Sequence, residues 1–240
     1  MRELYFIGDI HNNISNIISE IVGRDLKDTD LIQVGDFGVG FPQVDVSLYD
    51  EVYSGLDALL FDRNCTMYVV RGNHDNPMYF KGDNDYDNLK FVPDYSVLTF
   101  NNWNFLCIGG GVSVDRTYRR KTNSGWWKGE IVKQDITKVE GLTDIDVVIT
   151  HSNTTFAYPN HATPSEVVKH WSRQDDELWN DIKSERYYID SVYNKLTENN
   201  NLKLWVYGHY HKSHSQIINN IEFRLLNINE WYKCPLFNNE

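Results

Sequence analysis

Residues 3–11 read ELYFIGDIH. A short apolar run ends in glycine and aspartate, and a histidine follows two residues on. The theme returns as DTDLIQVGD at 28–36 and as CTMYVVRGN at 65–73. Between these runs, NISNIISEIV (13–22) has apolar residues at helical spacing, and VSLYDEVYSGLDALLFD (46–62) reads as an amphipathic helix. Alternating strand and helix of this kind implies a largely parallel central sheet.

Further along, SVLTFNNWNFLCI (96–108) holds two β-rich runs joined by Asn-Asn-Trp-Asn, the mark of a hairpin. KGEIVKQDITKVEGL (128–142) looks helical and stops at Gly141. IDVVITHS (145–152) is another buried strand. Residues from about 163 to 200 carry helical patterning without evident chemistry. LKLWVYGH, SHSQIINN and IEFRLLNI then close the chain with strands, the second Asn-Asn pair marking another hairpin. The pattern predicts one domain over 1–240, with a helical insert at about 160–200. Two sheets with helices outside fit it better than one open sheet.

Bulk properties narrow the function. The chain has 240 residues, 41% hydrophobic and 14% aromatic, which excludes disorder and suits a strand-rich core. A net charge of −11 argues against a duplex nucleic acid partner, whose phosphates call for many lysines and arginines. It leaves a phosphate ester open as substrate, because bound divalent cations reverse the local field. Cys65, Cys107 and Cys234 read as small buried hydrophobes in a reducing compartment. With neither a leader-like start nor a membrane-spanning run, a soluble cytoplasmic protein is expected.

The chemistry gathers behind the strands. Asp9 and His11 follow the first, Asp36 the second, and Asn73, His74 and Asp75 the third. His151 follows VVIT, while His209 and His211 follow LWVY. Carboxyl ends of parallel strands face a common crevice. If the chain stays extended there, residues two apart share a side, so Asp9 and His11 converge, as do His209 and His211, with Tyr210 turned away. Imidazole and carboxylate without thiolate suit Mn, Fe or Zn. The donors are too many for one small ion and suit two ions sharing a carboxylate, roughly 3.5–4 Å apart.

D-x-H, GD, GNHD, H and GHxH in this order resemble the calcineurin-like metallophosphoesterase superfamily. The motifs run from Asp9 to His211. The resemblance implies a four-layer α-β-β-α sandwich with two mixed central sheets. It implies two divalent ions, Mn²⁺ first, with Fe, Zn or Ni as alternatives. One ion would sit on Asp9, His11 and His211 and the other on Asn73, His151 and His209, with Asp36 bridging. It implies attack on phosphorus by a metal-bridging hydroxide, with His74 contacting substrate and protonating the leaving group. Asp75 would orient a ring nearby or complete the turn. GDFGVGF at 35–41 replaces the GDxVDRG of the protein serine/threonine phosphatase branch, so a bacterial or phage-type member is indicated.

IGGGVSVDRTYRRKTNSGWWKGE (108–130) adds a second resemblance, to the GG-x-S-x-D-x-x-x-R…WW-x-x-E segment of bacterial and phage-type members. Arg116 and Arg119 are candidates to hold phosphoryl oxygens, as guanidinium suits bidentate contact. Trp126 and Trp127 read as loop anchors, with base stacking as the alternative. Among other histidines, His161 is best placed to approach substrate, and His170 and His214 read as bystanders. The leading expectation is hydrolysis of a small or nucleotide-like phosphate monoester or diester. The alternatives are a nuclease acting on short single strands and a metal-free binding module.

Overall fold

Five strands and two helices form the first half of the core. Strand β1 (Glu3–Ile7) pairs in parallel with β2 (Thr29–Gln33), β2 with β3 (Thr66–Val69), and β3 with β4 (Leu89–Phe91). Strand β11 (Trp231–Lys233) closes the free edge of β1 antiparallel. The computed structural model describes residues 2–40, 46–83, 86–160 and 162–237. Alternate side chains of β1 point to opposite faces, as pleating requires. Tyr5 and Ile7 meet helix α1 (Ile14–Gly23) and helix α2 (Val46–Asp62), where Ile17, Ile21, Leu56 and Leu60 are buried. Leu4 and Phe6 face the other way, into a core shared with a second sheet.

That second sheet runs β5-β6-β7-β8-β10-β9. Strands β6 (Trp103–Ile108), β7 (Val147–Thr150), β8 (Leu204–Tyr207) and β10 (Ile221–Leu225) are mutually parallel, and β5 (Ser96–Phe100) and β9 (His214–Ile218) are antiparallel edges. Phe105, Val147, Ile149, Leu204 and Val206 fill the space between the sheets. Trp205, Tyr207 and Phe223 face outward under helix α5 (Leu178–Asn199), against its Ile189, Val192 and Leu196. The order of layers is therefore helix, sheet, sheet, helix, and both sheets are mixed. The short helix α4 (Glu166–Trp171) precedes α5. No helix among the described residues is long and apolar enough to cross a membrane. All three cysteines are buried and unpaired.

One local reading needs correcting. Residues 128–142 hold a single 3₁₀ turn, Ile136–Lys138, and no α-helix. Arg71 is the reason: its guanidinium donates to the carbonyls of Gly129, Glu130 and Ile131 at 2.8, 3.0 and 3.2 Å. Those acceptors are thereby withdrawn from helical bonding. The basic stretch that follows Asp115 forms helix α3 (Arg116–Thr122), which ends on Asn123 in the left-handed region at φ 54°.

Both Asn-Asn pairs make two-residue hairpin turns. Asn101 and Asn102 have φ of 49° and 68°, and Asn219 and Asn220 have 51° and 63°. Both central residues with positive φ match the twist of the flanking strands, and asparagine tolerates that region better than branched side chains. Replacing exposed Asn102 or Asn220 with valine is expected to cost about 1–2 kcal/mol, whereas glycine is expected to be nearly neutral. Urea unfolding of the four single variants measures this.

Candidate metal centre

Parallel pairing within each sheet sends β1, β2, β3, β7 and β8 to the same end of the sandwich. The residues after them converge there. Asp9, His11, Asp36 and His211 offer ligand atoms that all lie within 4.8 Å of one another, and so do Asp36, His151 and His209. Asp36 belongs to both groups. His211 Nε2 is 3.2 Å from Asp9 Oδ2 and 3.0 Å from His11 Nε2. His151 Nε2 is 3.3 Å from Asp36 Oδ1 and 3.0 Å from Asn73 Oδ1.

The route to this convergence differs from an extended strand end. His11, Asp36, His209 and His211 have φ of 46°, 58°, 68° and 50°. Left-handed backbone at four non-glycine residues of one cluster is a concentration of strain that the surrounding fold must hold. Tight approach of the loops demands glycine as well. A Cβ on Gly72 would lie 2.2 Å from Asp36 Oδ1, and one on Gly208 would lie 2.2 Å from Asp9 Oδ1. Tyr210 is not turned wholly away: its ring meets that of His209 edge-on at 5.0 Å, and its hydroxyl is 3.2 Å from Ser152 Oγ.

Hydrogen bonds decide which atoms face inward. His151 Nδ1 donates to the Val34 carbonyl at 3.0 Å, which leaves Nε2 to the cluster. Asn73 Nδ2 donates to Ser113 Oγ at 2.8 Å. Ser113 Oγ also accepts from Arg119 Nη2, and its own proton goes to Glu130. The Asn73 amide is therefore locked with Oδ1 toward His151. A ring nitrogen, an amide oxygen and a carboxylate oxygen then converge, an arrangement that a proton on His151 Nε2, or a metal cation in its place, satisfies. The donor set fits a divalent ion in each group.

Electrostatics follow from the crowding. Burial pushes the Asp36 carboxyl up, but the imidazoles of His151, His74 and His11 outweigh it and hold it well below its ordinary value. Burial pushes His151 down, and Asp36 overrides this to raise it to about 9. His209 is held well below its usual value, by burial first and by His151 next. The hydrogen bond to Asp9 raises His211. His74 is lowered, chiefly by burial. Its backbone N–H donates to Asp36 Oδ1 at 2.7 Å, and its ring lies edge-on to His11 at 5.1 Å.

Other predicted residues take structural roles. Asp75 binds backbone, not a ring. It accepts from the N–H of Gly72 at 2.7 Å, Gly38 at 2.6 Å, Val39 at 3.1 Å and Phe37 at 3.3 Å. It thus clamps the loop after β2 to the loop after β3. Arg116 and Arg119 do not present free guanidiniums for phosphoryl oxygens, because carboxylates and carbonyls of the protein take them. Arg116 grips Asp175 at 2.7 and 3.1 Å and Asp181 at 2.6 Å. Arg119 holds Asp115 and Glu130 at 3.0 Å each, the Gly125 carbonyl and Ser113. Trp126 lies under the Arg120 guanidinium at 4.0 Å and lines a separate hollow with Arg116 and Glu130. His170 is exposed, His214 stacks near Tyr158 at 4.2 Å, and His161 lies outside the described residues. Ser113, Glu130 and Arg71 escaped the functional reading. The spacing G-x-S-x-D-x-x-x-R carried the signal for Ser113, but its arginine looked like a substrate contact.

Residues 3–213 match the model of the calcineurin-like phosphoesterase (Metallophos) family. The chain belongs to this family. Among solved structures it is similar to phosphopantetheinyl hydrolase from Mycobacterium tuberculosis, with 15% identity, a TM-score of 0.45, and 95% of this chain and 90% of that one covered. A Streptococcus pneumoniae protein described as a predicted phosphoesterase aligns at 11% identity and a TM-score of 0.34, covering 95% of this chain and 74% of its own. Vacuolar Protein Sorting 29 from Cryptosporidium parvum aligns at 12% and 0.37, with 95% and 74% covered. No curated protein matches. The Asp/His groups that share Asp36 are consistent with the two-metal centre typical of this phosphoesterase family.

Asp75 provides a test of the scaffold. Removing its carboxylate by Asp75→Ala leaves four buried N–H groups without their acceptor and is expected to destabilise the protein by about 3 kcal/mol or more. Asp75→Asn, which keeps one acceptor oxygen, is expected to cost less. Chemical denaturation of both variants measures the difference.

Proposed function

We propose that this protein hydrolyses phosphate esters of small molecules with two divalent ions, Mn²⁺ foremost. The observation that carries this reading is the pair of donor groups sharing Asp36 at the inner end of a cavity of about 490 Å³. Asp9, His11 and His211 would hold one ion, Asn73, His151 and His209 the other, and Asp36 both. Two such ions supply charge to the phosphoryl oxygens and make water acidic enough to attack at neutral pH. His74 borders both the cluster and the cavity. Its ring gives a proton to the leaving oxygen; an imidazolium of lowered pKa is a stronger acid, though a scarcer one. Ser113 and Arg119 act through Asn73, holding its amide oxygen toward the second ion. Buried, unpaired thiols are compatible with the cytoplasmic setting expected from the sequence.

A nuclease finds less support. Lys212 is the one lysine or arginine among the described residues lining the cavity, where a nucleic acid groove would run several.

Assays of p-nitrophenyl phosphate and bis-(p-nitrophenyl) phosphate with Mn²⁺ test the reading. Turnover of at least one is expected, and Asp36→Ala should reduce it by about a thousand-fold or more, the scale on which electrostatic stabilisation acts. Unchanged turnover in Asp36→Ala, or none in metal-loaded wild type, sinks it. Removing the proton donor with His74→Ala is expected to lower kcat by about 10²–10⁴-fold, less for the p-nitrophenyl group because it leaves without help. Ser113→Ala should weaken uptake of one ion by about 10–100-fold and spare the other, measured by Mn²⁺ titration of metal-stripped protein.

A further inference from the structure

The cavity has two unlike ends. Asp36, Asn73, His74, His209 and His211 form the inner one. The outer wall is mostly apolar: Val112, Val114, Val167, Val168, Trp171 and Ile182, brought together from the loop after β6 and from α4 and α5. Val167 is 56% exposed, so an aliphatic side chain on α4 stands open at this wall. Solvent-facing apolar surface continuous with a polar centre marks a ligand site.

Apart from Lys212, whose ammonium lies 5.8 Å from the centroid of the Tyr158 ring, the charges along the wall are negative and already engaged. Glu185 accepts from the Val112 and Val132 N–H groups at 3.2 and 3.3 Å, and Asp115 accepts from Arg119. Carboxylates held in this way repel a second phosphate, and their oxygens are already occupied by protein N–H groups and Arg119, which leaves them poorly placed to accept from sugar hydroxyls.

We propose that the outer wall is the site for the alcohol part of the ester, and that this part is an uncharged apolar group, alkyl or aryl, and not a nucleoside. The inference rests on the phosphoesterase reading above. Water attacks phosphorus, the P–O bond to the organic oxygen breaks, and the alcohol departs with a proton from His74 into the apolar cleft. Burial of the chain against Val168, Trp171 and Ile182 would then govern selectivity.

The test is a series of n-alkyl phosphates from ethyl to hexyl, in which leaving-group acidity is nearly constant and only apolar length grows. If bis-(p-nitrophenyl) phosphate alone is turned over, the same series is run as symmetrical dialkyl diesters, in which the departing group is still the alkyl alcohol. We expect kcat/KM to rise about two- to four-fold with each methylene. The hexyl-to-ethyl ratio should fall toward one in Val167→Asp, an exposed position where folding is not at risk. Binding of ethyl- and hexylphosphonate to the Mn²⁺-loaded protein, by calorimetry, reads the same preference without turnover. A flat series with active enzyme, an unchanged ratio in Val167→Asp, or a nucleoside monophosphate outpacing hexyl phosphate overturns the cleft alone. Absence of all ester turnover overturns the phosphoesterase reading. In that case tighter binding of hexylphosphonate than ethylphosphonate still upholds the apolar site, and equal or absent binding removes it.

Discussion

The structure is organised around one buried carboxylate. Asp36 sits at the seam where two sheets end, faced by imidazoles from both, and it remains ionised despite burial because its interaction with those rings, His151 first, outweighs desolvation. Burying an acceptor so completely is costly without partners. Everything near it answers that requirement: the His74 N–H, the rings of His11 and His151, and a glycine at position 72 that lets two loops approach within contact of it. A divalent ion there would take the place of ring protons and be held by the same nitrogen and oxygen atoms.

The loops that carry these groups have little regular structure, and buried ionic side chains hold them instead. Asp75 ties the loop after β2 to that after β3. Arg71 gathers the Gly109 carbonyl and those of 129–131 onto Asp94. Arg119 links α3 to Glu130 and, through Ser113, to Asn73. Arg186 on α5 donates to the carbonyls of Thr154 and Pro159, fixing the loop that follows His151. Each of these guanidiniums has several bonds, which is how a buried cation avoids an uncompensated desolvation penalty. A consequence is that arginine content near this centre is no guide to phosphate binding.

How much was legible in the sequence varies by element. The strand and glycine pattern marked β1, β2, β3, β7 and β8 because β2, β7 and β8 are buried on both faces, β1 and β3 are buried on one face and largely covered on the other, and all read as apolar runs. Short β4 and β11 went unread, since three residues carry no period. The helix expected over 128–142 failed because a tertiary contact, Arg71, claimed its carbonyls. Arg116 and Arg119 were misread for a related cause: sequence displays a charge but not the partner that consumes it.

By itself, then, the sequence determined the layer order, the parallel strands and the identity of the residues at their carboxyl ends, because periodicity and glycine placement are local properties of the chain. Only the tertiary structure decided which donors face one another, which way the Asn73 amide points, that Asp75 serves the backbone, and that α4 and α5 raise an apolar wall beside a polar centre. Those outcomes depend on contacts between residues tens to two hundred positions apart, such as His209 N–H to Asp9. No spacing along the chain encodes that geometry.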